Sequence, residues 1–158
     1  MKDSTMTYIY KGQLKPKDDF LYEAIGDLDE LIANVNFLNS AISNEDINKQ
    51  LNTILKDLND IIKLISFYNK DVPIEFSEDK YVSLINEQDM FSGFFSPKNS
   101  IEACYANIVR TIVRRAERKV VSLIRYYDRL DLIEPQKYLN CLSKYFFYLS
   151  MRLESECE

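Results

Sequence analysis

Arg110-Thr-Ile-Val-Arg-Arg-Ala-Glu-Arg-Lys119 is a dense cluster of positive charge in a chain that carries 20 basic and 25 acidic residues, for a net charge of −5. On a helix, Arg110, Arg114 and Arg118 recur every four residues along one face, and Glu117, three places after Arg114, lies beside it. Such a row can hold a polyphosphate. The same residues also read as a solvated basic face laced by intrahelical ion pairs. The chain has no histidine, and its three cysteines, Cys104, Cys141 and Cys157, are scattered. It therefore offers no zinc pattern, no Cys-His or Ser-His nucleophile pair and no imidazole base. The acidic balance argues against nucleic acid as the principal partner, because duplex affinity rests on a broad basic surface. The local run of basic residues from Arg110 to Arg129 fits a small polyanion better than a long one.

The elements that must position these residues are helices. Only three glycines and four prolines occur in 158 residues, and the long segments repeat with helical rather than alternating periodicity, so the chain reads as all-α. A first helix is expected from about Phe20 to Ser40, with Leu21, Ala24, Ile25, Leu28, Leu31, Ile32, Val35 and Leu38 on one apolar stripe. Gly26 inside it suggests a close approach by another helix or a ligand. Ser43 or Asn44 caps a second helix to about Tyr68, whose buried side is Ile47, Leu51, Ile54, Leu58, Ile61 and Ile65. Asp71-Val-Pro73 breaks the pattern, and a shorter helix covers about Asp79 to Gln88. An aromatic loop from Met90 to Asn99, crowded with phenylalanines around Gly93, serves as core packing or as a lid. Ser100 then caps the helix that carries the arginines, which reaches about Tyr127. Pro135 opens the last helix, to about Leu153, with Tyr138, Leu142, Tyr145, Phe146, Leu149 and Leu153 facing inward.

Long helices with short connections imply an up-and-down bundle. No Pro/Gly/Ser-rich linker divides the chain, so it is expected to be one domain over 1–158, with 1–19 as an N-terminal loop segment and 20–158 as the bundle. Hydrophobic residues make up 46% of the sequence, too many for a disordered chain, yet no apolar run is long enough to cross a bilayer. Widely spaced cysteines and the lack of an apolar segment after Met1-Lys-Asp-Ser-Thr suggest a soluble protein of the reducing cytoplasm.

Four stretches in register resemble the PduO-type ATP:cob(I)alamin adenosyltransferases. The arginine helix resembles that family's R-T-x-x-R-R-A-E-R. Lys17-Asp-Asp19, then Glu23-Ala24, Gly26 and Asp29-Glu-Leu31, resemble its K-D-D, E-A-Y-G and D-E-L run. Tyr138-Leu-Asn-Cys-Leu-Ser143 resembles its Y-L-N-R-L-S-D. Phe94-Phe-Ser-Pro97 with Ser100 sits where the family carries F-x-L-P-G-G-S or T. The resemblance implies a five-helix, ferritin-like bundle that assembles as a homotrimer, binds ATP and magnesium in clefts between subunits, and transfers the 5′-deoxyadenosyl group to cob(I)alamin, releasing triphosphate. Carried across by motif, Lys17, Arg114 and Arg118 would contact phosphates. Glu117 would orient the arginines or a magnesium hydration shell, and Asn140 would bond the nucleoside. Asp29 and Arg110 match a pair that forms a salt bridge at the subunit interface; from sequence alone they are equally an independent surface aspartate and arginine. Phe94 matches the phenylalanine that displaces the lower axial ligand of cobalamin; otherwise it is one core aromatic of its loop.

Several positions depart from the pattern. The family's glycine-rich T-x-T-G-D-x-G-T-T loop is reduced to Met1 to Met6, in which Asp3 survives and Lys2 and Thr5 replace glycines. A cradle of backbone N–H groups depends on glycine's freedom at positive φ, so this change bears directly on ATP binding. Lys98 and Asn99 replace two glycines after Pro97, Ile32 replaces an asparagine, and Lys144 replaces an aspartate. The runner-up reading is thus a catalytically silent homologue that binds cobalamin or nucleotide, or serves as a structural subunit. A helical partner-binding bundle that takes neither ligand is the third.

Overall fold

The computed structural model describes residues 3–9, 13–67, 74–85 and 94–157. Two short strands, β1 (Met6–Ile9) and β2 (Gln13–Pro16), pair antiparallel with Met6 opposite Pro16. Five helices follow: α1 (Phe20–Ala41), α2 (Glu45–Phe67), α3 (Asp79–Ile85), α4 (Ile101–Tyr126) and α5 (Ile133–Glu156), the last preceded by a 3-10 turn at Leu130–Leu132. The expected N-terminal loop is thus in part a hairpin, built on a β-branched and aromatic run. Tyr68, Asp71-Val-Pro73, Gln88, and Met90 to Gly93 of the aromatic loop lie outside the described residues, and the described part of α3 ends at Ile85.

Local chemistry starts the helices. The Asp19 carboxylate accepts from Leu21 N at 2.9 Å, Asn44 Oδ1 accepts from Asp46 N and Ile47 N at 3.0 and 3.1 Å, and Ser100 Oγ accepts from Ala103 N at 3.1 Å. Each satisfies N–H groups that a first turn leaves without an intrahelical acceptor. Just beyond the end of α4, Asp128 adopts φ 53°, while Tyr127 N and Arg129 N both return to the Leu123 carbonyl.

Packing follows the apolar stripes. Leu21, Ala24, Leu28, Leu31, Val35 and Leu38 of α1 and all six expected positions of α2 are buried, and Ile25 and Ile32 pack at the edge of the core. In α5, Tyr138, Leu142, Phe146 and Leu149 are buried, with Tyr145 and Leu153 half-buried beside them. At Gly26 no other helix of this chain makes the close approach: among the described residues nothing lies within 4 Å of where its Cβ would stand, because its face of α1 turns away from the neighbouring helices.

Side-chain bonds give the helix directions. Asn39 meets Asn48 and Asn52, Gln50 meets Tyr145, Ala103 meets Ser150, and Glu23 meets Lys119, so every neighbouring pair among α1, α2, α5 and α4 is antiparallel. α2 and α4 therefore run the same way. The end of α2 and the start of α4 thus lie at opposite ends of the bundle, so a single connection between them spans its length, the arrangement of ferritin-like four-helix cores. α3 lies within that connection and packs on α5. It is fastened by Lys80 Nζ to Asp57 Oδ1 at 2.9 Å and by Tyr81 Oη donating to Glu134 Oε2 at 2.8 Å. The bond to Glu134, helped by burial, pushes the Tyr81 phenol up to about 12. Arg129, only 3% exposed, donates to the Leu64 and Ile65 carbonyls and to both oxygens of Asp131, closing the C-terminal end of α2.

Candidate active site

The basic cluster divides between two faces of α4, because adjacent residues on a helix stand about 100° apart. Arg115 and Lys119 turn toward α1. Arg115 bonds Glu30 and lies 3.7 Å from Asp27, and Lys119 bonds Glu23. The Glu30 bond, more than the nearby Asp27 charge, holds the Arg115 guanidinium in its charged form. These two cations seal the seam between the helices. Arg114 and Arg118 are exposed, and among the described residues neither makes an ion pair. Intrahelical pairs do not lace this face.

Glu117 departs from the expected contact with Arg114. It is half-buried and accepts from Gln136 Nε2 at 2.9 Å across the α4–α5 seam. That bond and Ser150 Oγ to the Ala103 carbonyl at 2.8 Å set the antiparallel register of α4 and α5. In this register the exposed Asn140 stands level with Arg114, and Lys144 lies one turn farther along α5, level with Arg110. Gln136 escaped sequence reasoning, because nothing near it in the chain marks a glutamine as the partner of a glutamate on another helix.

Arg110 is half-buried, with Nε donating to Asn107 Oδ1 at 2.9 Å. Asp29 is exposed on α1, and among the described residues no ion pair joins it to Arg110. The two side chains are not brought together within one chain.

At the opposite end of α4 from Ser100, Tyr127 Oη donates to Asp19 at 3.0 Å, and Phe20 stacks on Tyr126 with ring centroids 6.0 Å apart. Lys17 is exposed there, its backbone N–H on the Thr5 carbonyl at 2.8 Å. Asp3 Oδ1 accepts from both Thr5 N and Thr5 Oγ1 at 2.9 Å, closing the preceding turn. These bonds, the backbone one first, and the nearby Lys17 charge hold the Asp3 carboxyl below the usual carboxylate range. Asp128 is the one non-glycine residue at positive φ among the described residues, so Thr5 stands at a glycine position without adopting the left-handed conformation. A side-chain carboxylate organises this turn in place of glycine's backbone freedom.

Phe94 lies at the other end of the molecule and is fully exposed, which removes its reading as a core aromatic. α4, with 26 residues, is about 39 Å long. One chain therefore holds Lys17 and Phe94 near opposite ends of that helix and does not unite them. Among the described residues no group of three or more His, Cys, Asp or Glu side chains could hold a metal ion. No helix among them is long and apolar enough to cross a membrane.

A one-crossover helical bundle with exposed arginines and a polar α5 residue at their level defines an all-α protein whose cationic row is suited to an anion. A family model described as cobalamin adenosyltransferase matches residues 1–153, and the chain belongs to that family. It is 30% identical over 147 residues to the corrinoid adenosyltransferase of Bacillus subtilis (strain 168), covering 86% of this chain and 75% of that one. To the human corrinoid adenosyltransferase MMAB it is 24% identical over 167 residues, covering 94% of this chain and 64% of that protein. Among solved structures it is similar to a phenylalanine-to-alanine variant of the PduO-type ATP:corrinoid adenosyltransferase from Lactobacillus reuteri complexed with cobalamin and ATP. The TM-score is 0.76 at 25% identity, covering 92% of this chain and 86% of that one. An arginine-to-lysine variant of the same enzyme complexed with ATP shares the fold with a TM-score of 0.78 at 24% identity, covering 96% and 90%.

Proposed function

We propose that this chain, acting as a single domain over 1–158, is a corrinoid adenosyltransferase that moves the 5′-deoxyadenosyl group of ATP to cob(I)alamin. The observation that carries the reading is the exposed Arg114 and Arg118 row, free of ion pairs among the described residues and level with Asn140, in a chain matched by the family model over 1–153. In the reaction, the cobalt(I) electron pair attacks the ribose 5′ carbon, the carbon–oxygen bond breaks, and its electrons leave with triphosphate. Cobalt(I) is already a strong nucleophile, so the protein's task is to align the reactants and stabilise the departing charge.

Arg114, Arg118 and Lys17 would hold the phosphates, and Asn140 would hydrogen-bond the nucleoside. Glu117, held by Gln136, would act by shaping the electrostatic surroundings of Arg114. Among the described residues no group of three or more His, Cys, Asp or Glu side chains could hold the divalent ion, so magnesium would enter with the triphosphate of ATP. Phe94 would press on the lower face of the corrin, displacing the axial ligand and easing reduction of Co(II) to Co(I). With Lys17 and Phe94 near opposite ends of α4, a site containing both needs a second copy of the chain, and Asp29 and Arg110 would pair across that junction. The family resemblance makes that assembly a homotrimer with intersubunit sites, and the proposed compartment is the cytoplasm.

The deciding experiment is anaerobic: purified protein, ATP, magnesium and chemically reduced cob(I)alamin, followed for adenosylcobalamin beside Arg114→Ala. Product from the native chain that is lost in the variant supports the enzyme. A folded native trimer giving no product leaves the silent homologue, favoured by Lys2 and Thr5 in place of glycines. A strictly monomeric native protein in sedimentation would overturn the intersubunit site.

A further inference from the structure

The segment that carries Phe94 is held at its root by one buried carboxylate. Glu154, in the last turns of α5 and only 7% exposed, accepts from the backbone N–H of Lys98 at 3.1 Å, Asn99 at 2.9 Å and Ser100 at 3.0 Å. Asn99 N also lies 3.3 Å from its second oxygen. A carboxylate receiving three N–H groups is a strong, charge-assisted anchor, and here it also faces the positive end of the α4 dipole. Exposure alternates along the segment it fixes. Phe94 and Ser96 face outward, Phe95 and Pro97 face inward, and Phe95 meets Phe147 edge-on with ring centroids 6.2 Å apart. In an extended backbone this alternation has period two. Fixing the root therefore fixes which phenylalanine points in and which points out.

We propose that Glu154 is a positioning residue for the corrinoid-facing loop. By pinning the backbone of Lys98 to Ser100 onto α5, it commits Phe95 to the bundle and holds Phe94 outward in the direction from which it would meet the corrin. This rests on the reading of Phe94 given above. Lys98 and Asn99 donate their N–H groups to Glu154, so backbone that lacks glycine at these two positions is still fixed in place.

The test uses full-length protein carrying Glu154→Gln, which keeps the shape and removes the charge. Glu154→Asp, which keeps the charge but shortens the reach, is the second variant should the first fail to fold. Each is bound to cob(II)alamin and ATP, and the fraction lacking the lower axial ligand is read from the visible absorption, with ATP affinity measured in parallel. The expected result is ATP affinity within about twofold of native and a fall of about threefold or more in that fraction. Adding Phe94→Ala should cause no further loss beyond Phe94→Ala alone, since both changes act through one side chain. A native fraction in a folded variant, or strictly additive losses, would overturn the proposal. If Phe94→Ala itself leaves the spectrum unchanged, the reading of Phe94 fails separately. Amide hydrogen exchange at Lys98, Asn99 and Ser100 then decides the clamp: lost protection in Glu154→Gln upholds it, and native protection overturns it.

Discussion

Tyr127 donates a 3.0 Å hydrogen bond to Asp19, the residue whose carboxylate also caps α1 through Leu21 N at 2.9 Å. One carboxylate thus joins the start of α1 to the end of α4, two residues from Lys17. Asp19→Ala should destabilise the fold by about 1–2 kcal/mol through loss of the cap and the bridge, and Tyr127→Phe by about 1 kcal/mol. Burial, followed by the Asp19 bond, raises the Tyr127 phenol above its ordinary value of 10.0. Its contribution is complete below that value and is lost as pH rises through the raised one, so Tyr127→Phe should flatten the alkaline limb of a urea-denaturation pH series.

Gln136 orients Glu117 without touching the exposed arginines. Gln136→Ala should leave stability within about 1 kcal/mol of native. It should lower kcat about threefold or more with little change in KM for ATP, the split expected when alignment in the transition state is lost rather than binding. Steady-state kinetics would show the opposite split if Glu117 served ground-state binding alone.

Lys80 neutralises Asp57, whose side chain is 6% exposed, at 2.9 Å. Removing the lysine strands that charge, so Lys80→Ala should cost about 2–3 kcal/mol. Adding Asp57→Asn should recover at least half of the loss, because the stranded charge is then gone. Chemical denaturation of the single and double variants measures both.

Asp128 is held at φ 53° where α4 turns into the 3-10 segment. Glycine takes this conformation without a Cβ clash, so Asp128→Gly should stabilise by about 0.5–1 kcal/mol. Calorimetry should then register a Tm rise of about 1–4 °C for a chain of this size.

The Glu154 carboxyl is held below its ordinary value of 4.5, first by the Lys98 N–H and then by that of Ser100. A lowered folded-state pKa means stabilisation that is complete above the ordinary value and lost as pH falls through the lowered one. The Tm gap between native protein and Glu154→Gln should therefore be constant above about pH 5.5 and close as pH drops below about 4.

The helices and their buried faces were legible because periodicity is local. Leu28 and Leu31 face the core for the same reason that Ile54 and Leu58 do: a spacing of three or four residues puts them on one side of a turn. The cap at Ser100, and that of α2 at either Ser43 or Asn44, were legible for a similar reason, since a cap bonds within three residues of itself; the fold chose Asn44. The hairpin had its signal too, in the Met6–Ile9 run before Gly12, although the helical character of the whole chain overshadowed it.

An all-α chain, the register of its apolar stripes and the presence of an arginine row can all be read from spacing, because each depends on neighbours a turn away. Which cations remain exposed is a matter of how the helices pack. Arg114 and Arg115 are adjacent in the chain, and it is the packing of α1 that engages Arg115 and leaves Arg114 in solvent. Helix packing likewise gave Glu117 to Gln136 and placed Phe94 far from Lys17. It brought Glu154 to amides 54 to 56 residues away. A carboxylate carries no mark of which distant N–H will meet it, since that meeting is fixed by how long helices align as they bury their apolar faces together.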